Sequence, residues 1–182
     1  AVVGAGPAGL ACATTLAQRG HQVTLFEESD QIGGQFNLAK LVPGKEEYGE
    51  TIRYFQRLLQ DTGVDLRLGR AATVPDLARR FDAVILATGV RPRLTTIPGI
   101  EHPKVLGYVE CLMKPNTVGR KVAIMGAGGI GFDVAECLCH SGDHGPPEIE
   151  SFLRRWCVDP DLGARGGVEG IRPTPAPAAR TV

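Results

Sequence analysis

The sequence predicts an α/β chain with parallel strands, and three observations carry that prediction. Near the start, a short apolar strand runs into a glycine-rich turn and then a helix, at residues 2–18. A second short strand follows and ends on an acidic residue, Glu27. The same strand, glycine turn and helix return at residues 121–138. This is the Rossmann-like, dinucleotide-binding arrangement, present once in full and a second time in its opening part.

Val2 and Val3 read as the end of a buried strand, and Gly4-Ala5-Gly6-Pro7-Ala8-Gly9 follows. Leu10, Ala13, Leu16 and Ala17 recur at helical spacing, with Gly20 placed to end the helix. Gly4 permits a tight turn. Gly6 has no Cβ, so backbone there can approach a pyrophosphate, and Gly9 lets the helix pack closely on the strands. The helix N-terminus offers amide N–H groups and a partial positive charge to phosphate. Residues 22–26 read as the second strand. Glu27 lies 18 residues after Gly9, where a carboxylate accepts hydrogen bonds from ribose hydroxyls and repels a 2′-phosphate. The first site therefore selects FAD or NAD over NADP.

Residues 29–36, SDQIGGQF, separate those two. Gly33 and Gly34 bring a second stretch of backbone toward the cofactor and Gln35 supplies amide donors, which a plain NAD site does not need. Residues 82–87, DAVILA, read as a continuous apolar strand ended by Thr88-Gly89. An ATG ending resembles a signature of flavoproteins with two dinucleotide-binding domains, so the first site is read as FAD. Between these, residues 46–62 read as a helix with Tyr48, Ile52, Phe55 and Leu59 inward and Gly63 as its stop. Residues 64–68 alternate as a strand, and residues 71–73 are expected in a small antiparallel sheet. Residues 91–119 carry Pro92, Pro98, Pro103 and Pro115 and read as a linker. Lys45 and Arg53 are candidate phosphate partners.

The second unit begins with a predicted strand at residues 121–125 and the turn Gly126-Ala127-Gly128-Gly129-Ile130-Gly131. Gly4, Gly6, Gly9, Ala13 and Leu16 match Gly126, Gly128, Gly131, Ala135 and Leu138 at a constant shift of 122 residues. Ile130, Val134 and Leu138 space out one helical face. Two such turns imply two nucleotides, one giving a hydride and one taking it. Residues 141–182 are rich in Gly and Pro. They hold one amphipathic helix candidate, 147–156, with Ile149, Phe152, Leu153 and Trp156 on one face and Trp156 as its packing anchor. Pro173, Pro175 and Pro177 prevent regular structure beyond it. The expected division is a partial FAD-binding domain at 1–118 and the start of an NAD(P)H-binding domain at 119–182, truncated at both ends. With no Met at residue 1, the chain is expected to be a fragment of a longer polypeptide.

Composition excludes other classes. Lys and Arg number 20 and so do Asp and Glu, so neither nucleic acid nor an anionic membrane is an expected partner. No apolar run has bilayer-spanning length. Five cysteines without framework spacing fit a reducing compartment and a cytoplasmic location. A redox Cys-x-x-Cys is absent, against a thioredoxin reductase-like reading. Cys137, Cys139, His140 and His144 lack a usual zinc spacing, so no metal is expected on this chain. Cys12 and Cys111 read as core or loop thiols, and His21 and His102 as solvated.

The strings GAGPAGLA, GHQVTLFE, IGGQFNLAK, VPGKEEY, ILATG, IPGIEHPKVL, GAGGIGFDVAE and ARGGVEG together carry a resemblance. Across nearly its whole length the chain resembles the C-terminal half of the NADPH-dependent 2,4-dienoyl-CoA reductases, old yellow enzyme-related flavoproteins. The resemblance implies a preceding barrel domain of the same polypeptide holding FMN, the substrate and a four-iron four-sulfur cluster. It implies hydride transfer from NADPH to FAD and onward electron flow to a dienoyl thioester of fatty-acid β-oxidation. It places Gly4, Gly6, Ala8 and Gly9 along the FAD pyrophosphate and Glu27 on the adenosine ribose. Gly34 lies in the matched IGGQFNLAK string beside the cofactor, Gln35 and Lys45 support the phosphates, and Ala72 lies near the adenine. Gly126, Gly128, Gly129 and Gly131 start the NADPH site. It assigns no catalytic residue to this chain. Two alternatives stay open: the nucleotide half of an amine dehydrogenase or ene-reductase, and a non-catalytic ADP- or FAD-binding module.

Overall fold

The computed structural model describes residues 1–78, 80–93, 95–140, 148–161, 163 and 177–182. The chain divides into two units, Ala1–Met113 and Lys114–Val182. In the first unit, four strands form one parallel sheet: β1 (Val2–Val3), β2 (Thr24–Phe26), β3 (Asp65–Arg67) and β4 (Ile85–Leu86), in the order β3-β2-β1-β4. β1 pairs Val2 with Leu25 on one side and with Ile85 on the other. Parallel neighbours need crossover connections, and helices supply them. Helix α1 (Pro7–Gln18) joins β1 to β2. The short α2 (Phe36–Ala39) and the longer α3 (Tyr48–Thr62) lie between β2 and β3.

The core forms where α1 and α3 meet the sheet. Val2, Ala5, Leu10, Ala13 and Leu25 are fully buried, and Ile52 and Phe55 of α3 pack against them beside buried Leu59. The period-3.6 reading of α3 therefore describes its inward face. Tyr48 sits at its start with its ring tilted over Phe36 of α2, centroids 4.4 Å apart. Gly63 ends the helix in the left-handed region at φ 70°, a conformation that favours glycine.

Three predicted elements differ in this unit. Residues 71–73 form no strand: Thr73 caps α4 (Val74–Leu77), exchanging hydrogen bonds with Asp76 in a capping box. A Thr and an acid three positions apart offer the backbone a helix start, which outcompetes extended pairing. Residues 91–119 are not linker throughout, because α5 (Tyr108–Met113) forms within this unit and a 3₁₀ turn at Pro115–Thr117 opens the second. The DAVILA segment contributes only Ile85–Leu86 as strand, at the sheet edge, where Leu86 is 72% exposed. An apolar run records what a strand prefers to touch and not which neighbours it has.

In the second unit, helix α6 (Gly129–Cys139) buries Val134, Cys137 and Leu138. Ile130, expected on that face, is 54% exposed. The strand predicted at 121–125 is reduced to a single parallel bridge between Lys121 and Thr181. Arg180 steadies that bridge: its guanidinium donates to Leu138 O at 2.9 Å and Pro115 O at 2.8 Å. Helix α7 (Ile149–Trp156) forms as predicted from its pattern. Its apolar face is only partly covered: Leu153 is half-buried, but Ile149 and Phe152 are exposed and Trp156, expected as the packing anchor, is 57% exposed. The expectations for Ser141 to Pro147, Pro173 and Pro175 lie outside the described residues.

Candidate dinucleotide site

The first glycine turn joins β1 to α1, and its glycines serve different ends. Gly4, at φ 103°, donates its N–H to Phe26 O at 2.8 Å. A Cβ on Gly4 would stand 2.4 Å from Ala87 O, and one on Gly9 would stand 1.8 Å from Gly4 O. Both positions are closed to side chains by the fold itself. Gly6 differs, since a Cβ there would meet nothing nearer than Gly34 Cα at 4.0 Å. The space above Gly6 is therefore open. Gly6 is also the N-cap of α1, and no side chain caps that end. Pro7 has no N–H, so the first-turn amides of Ala8 and Gly9 are the groups presented to an anion.

Residues 33 and 34 bring a second stretch of backbone to the first glycine turn. Gly33 N–H donates to Ala5 O at 2.8 Å, and Gly34 at φ 50° lies so close to Gly6 that a Cβ on it would be 2.9 Å from Gly6 Cα. Gln35 is the N-cap of α2, and its side-chain amide donates to Val90 O at 3.4 Å. Lys45 lies in the loop between α2 and α3, its N–H donating to Val42 O at 3.0 Å. Ala72 follows β3 on the segment where Arg70 N–H donates to Glu27 O at 2.8 Å. Arg53 pairs with Glu50 on the exposed side of α3.

Glu27 leaves the end of β2 and turns back to the glycine turn. Its Oε2 accepts from Ala5 N–H at 2.7 Å, and its Oε1 accepts from Ser29 N–H at 2.9 Å and Ser29 Oγ–H at 2.8 Å. Burial alone would raise its pKa, but the hydrogen bonds from Ser29 and Ala5 outweigh burial and hold it below the ordinary value of 4.5. A depressed carboxylate adds stability that is present above the unfolded-state value and lost as the pH falls through the folded-state value. Glu27→Gln should therefore be less stable than wild type at pH 7, and the gap should narrow below about pH 4.5. Urea midpoints across that range check this, and a constant gap would contradict it. Sequence reasoning missed Ser29 and the Ala5 amide. The available signal was a Ser two residues beyond a strand-terminal acid, a spacing that suits a local side-chain turn.

The second turn repeats the first. Gly126 has φ 116°, and a Cβ on Gly131 would stand 2.3 Å from Gly126 O. Gly128 is the uncapped N-cap of α6 with φ −87° and ψ 179°, close to the −74° and 179° of Gly6. Nothing lies within 4 Å of a Cβ placed on Gly128 or Gly129. The turn thus keeps its dinucleotide-binding shape although the strand before it is almost absent. Among the described residues no group of three or more His, Cys, Asp or Glu is placed to hold a metal. Cys137 is buried on α6 and Cys139 approaches Arg180 O at 3.8 Å, while His144 lies outside the described residues. No helix among the described residues is long and apolar enough to cross a membrane.

These features define a dinucleotide-binding α/β class of protein. Residues 1–153 match the pyridine nucleotide-disulphide oxidoreductase family, and the chain belongs to it. Membership implies binding of FAD and NAD(P)H, and both uncapped helix starts suit the diphosphates of those groups. The chain is 36% identical over 146 residues to a metal reductase of Desulforamulus reducens, covering 78% of this chain and 22% of that protein. It is 36% identical over 148 residues to a cinnamate reductase of Clostridium sporogenes, covering 78% and 21%. The structure of a 2-naphthoyl-CoA reductase with 2-naphthoyl-CoA superimposes with a TM-score of 0.70 at 36% identity, covering 75% of this chain and 21% of that one. The chain thus spans about one fifth of the length of these relatives.

Proposed function

We propose that this chain is the FAD- and NADPH-binding segment of a flavin-dependent reductase that acts in the cytoplasm on 2,4-dienoyl-CoA in fatty-acid β-oxidation. The observation that carries the flavin and nicotinamide part is the doubled turn, with two uncapped helix N-termini each preceded by an open N-cap glycine. Gly6, Ala8, Gly9 and Gly34 form the backbone cradle for the FAD pyrophosphate, and Glu27 takes the ribose. Gln35 and Lys45 stand on the phosphate side and Ala72 on the adenine side. Gly126, Gly128, Gly129 and Gly131 take the NADPH diphosphate. A bound flavin accepts a hydride and passes electrons on singly, which a nicotinamide does not do. The onward acceptors, an iron–sulfur cluster and FMN in a barrel domain, belong to the polypeptide outside this chain. Support for a thioester substrate comes from the likeness to a reductase solved with a CoA ester.

The test is a purification of the full-length natural polypeptide. Bound flavin is identified after release, and NADPH oxidation is followed with 2,4-dienoyl-CoA, an aryl-CoA and free cinnamate. Stoichiometric FAD with oxidation dependent on dienoyl-CoA is expected. Activity with only cinnamate or the aryl-CoA would replace the substrate and keep the reductase. Bound ADP without reducible flavin would leave a nucleotide-binding module.

A further inference from the structure

We propose that Ser29 is a positioning residue for the first nucleotide, holding Glu27 in the orientation that accepts the ribose diol; the proposal rests on the ribose reading of Glu27. A carboxylate offers about four acceptor positions. On Glu27 the Ala5 N–H donates to Oε2 and the Ser29 N–H and Oγ–H donate to Oε1, and the Glu28 backbone N–H also bonds to the carboxylate. The two oxygens are thus held from opposite ends by groups 22 and two residues away, which fixes the carboxylate plane.

Ser29 itself is pinned. Its carbonyl accepts from Gly69 N–H at 2.7 Å, just past β3, so the residue is tied to the neighbouring strand. Its Oγ stands 2.8 Å from Glu27 Oε1 and also 2.8 Å from Gln31 O. A hydroxyl has one proton, so only one of these bonds is made at a time. Rotation about Cβ–Oγ moves the proton from Glu27 to Gln31 without moving a heavy atom. Ser29 therefore orients Glu27 before the ligand arrives and then yields one Oε1 position to a ribose hydroxyl, keeping its own hydrogen bond. An orienting group with a ready second acceptor avoids the cost of a stranded donor in either state.

Calorimetry on the deflavinated full-length polypeptide tests this, with ADP and 2′,3′-dideoxy-ADP as probes. Ser29→Ala is expected to weaken ADP about fivefold and leave dideoxy-ADP unchanged. Ser29→Thr, which returns the hydroxyl, should restore ADP binding. Thermal melts confirm that each variant is folded. Equal losses for both probes would overturn the proposal, because a general structural defect does not distinguish them. Tighter ADP binding would also overturn it, showing the hydroxyl to be only a competitor of the ribose. If Glu27→Ala keeps full ADP affinity, the ribose reading fails and the Ser29 role with it. If Glu27→Ala weakens ADP and Ser29→Ala does not, the Ser29 role alone fails.

Discussion

Gly9→Ala is expected to destroy the first unit as a folded, FAD-retaining body. The added Cβ would stand 1.8 Å from Gly4 O and 2.9 Å from Gly4 C, both backbone atoms of the turn. No side chain can move aside to admit it. Relief requires α1 to lift from β1, which uncovers Leu10 and Ala13, both fully buried. Overpacking of a rigid site costs about 3 kcal/mol or more, a large part of the stability of a small domain. Gly6→Ala is the matched control. Its φ of −74° and ψ of 179° suit any residue, and its Cβ meets only Gly34 Cα at 4.0 Å. That variant should melt within a few degrees of wild type yet lose flavin, because the methyl occupies the space where the proposed function seats the FAD pyrophosphate. Thermal melts and flavin content of the two variants in the full-length polypeptide decide the matter. A wild-type melt for Gly9→Ala would show that helix and strand are not in contact there.

Gly128→Val should separate the two nucleotide sites. Its backbone is extended, and a Cβ there has no neighbour within 4 Å, so the variant should fold. The isopropyl group would stand over the start of α6, where the proposed function places the nicotinamide dinucleotide's diphosphate. The rate of flavin reduction by NADPH should fall on the order of a hundredfold, equal to about 2.7 kcal/mol. FAD content and reduction by dithionite should stay unchanged, since the first turn is untouched. Anaerobic stopped-flow at the flavin absorbance measures both. A normal NADPH rate would remove the second site from the reaction. Gly131→Ala makes a poor substitute for this test, because its Cβ would stand 2.3 Å from Gly126 O and would distort the turn itself.

Much of the first site was legible because its constraints are local. Gly4 at positive φ and Gly9 under the turn carbonyl are demands on single residues, and only glycine meets them. The face of α3 was legible through Ile52, Phe55 and Leu59, since helical period and core burial coincide there. Where local and long-range preferences competed, the reading failed. Thr73 took a capping role over a strand, and among the described residues, 121–125 pair only through the Lys121–Thr181 bridge. Trp156 shows the same limit, since an amphipathic pattern prescribes an apolar face and not the surface that covers it.

The sequence by itself determined the two glycine turns, the helices that follow them and the acid at the end of β2. Each of these is set by what a residue's own backbone and Cβ allow. Tertiary structure alone decided that Glu27 reaches back to Ala5, that the Ser29 carbonyl is tied to Gly69 beyond β3, and that β4 lies at the sheet edge. Those outcomes depend on hydrogen bonds between strands far apart in the chain, and chain folding, not residue spacing, sets which groups come within reach.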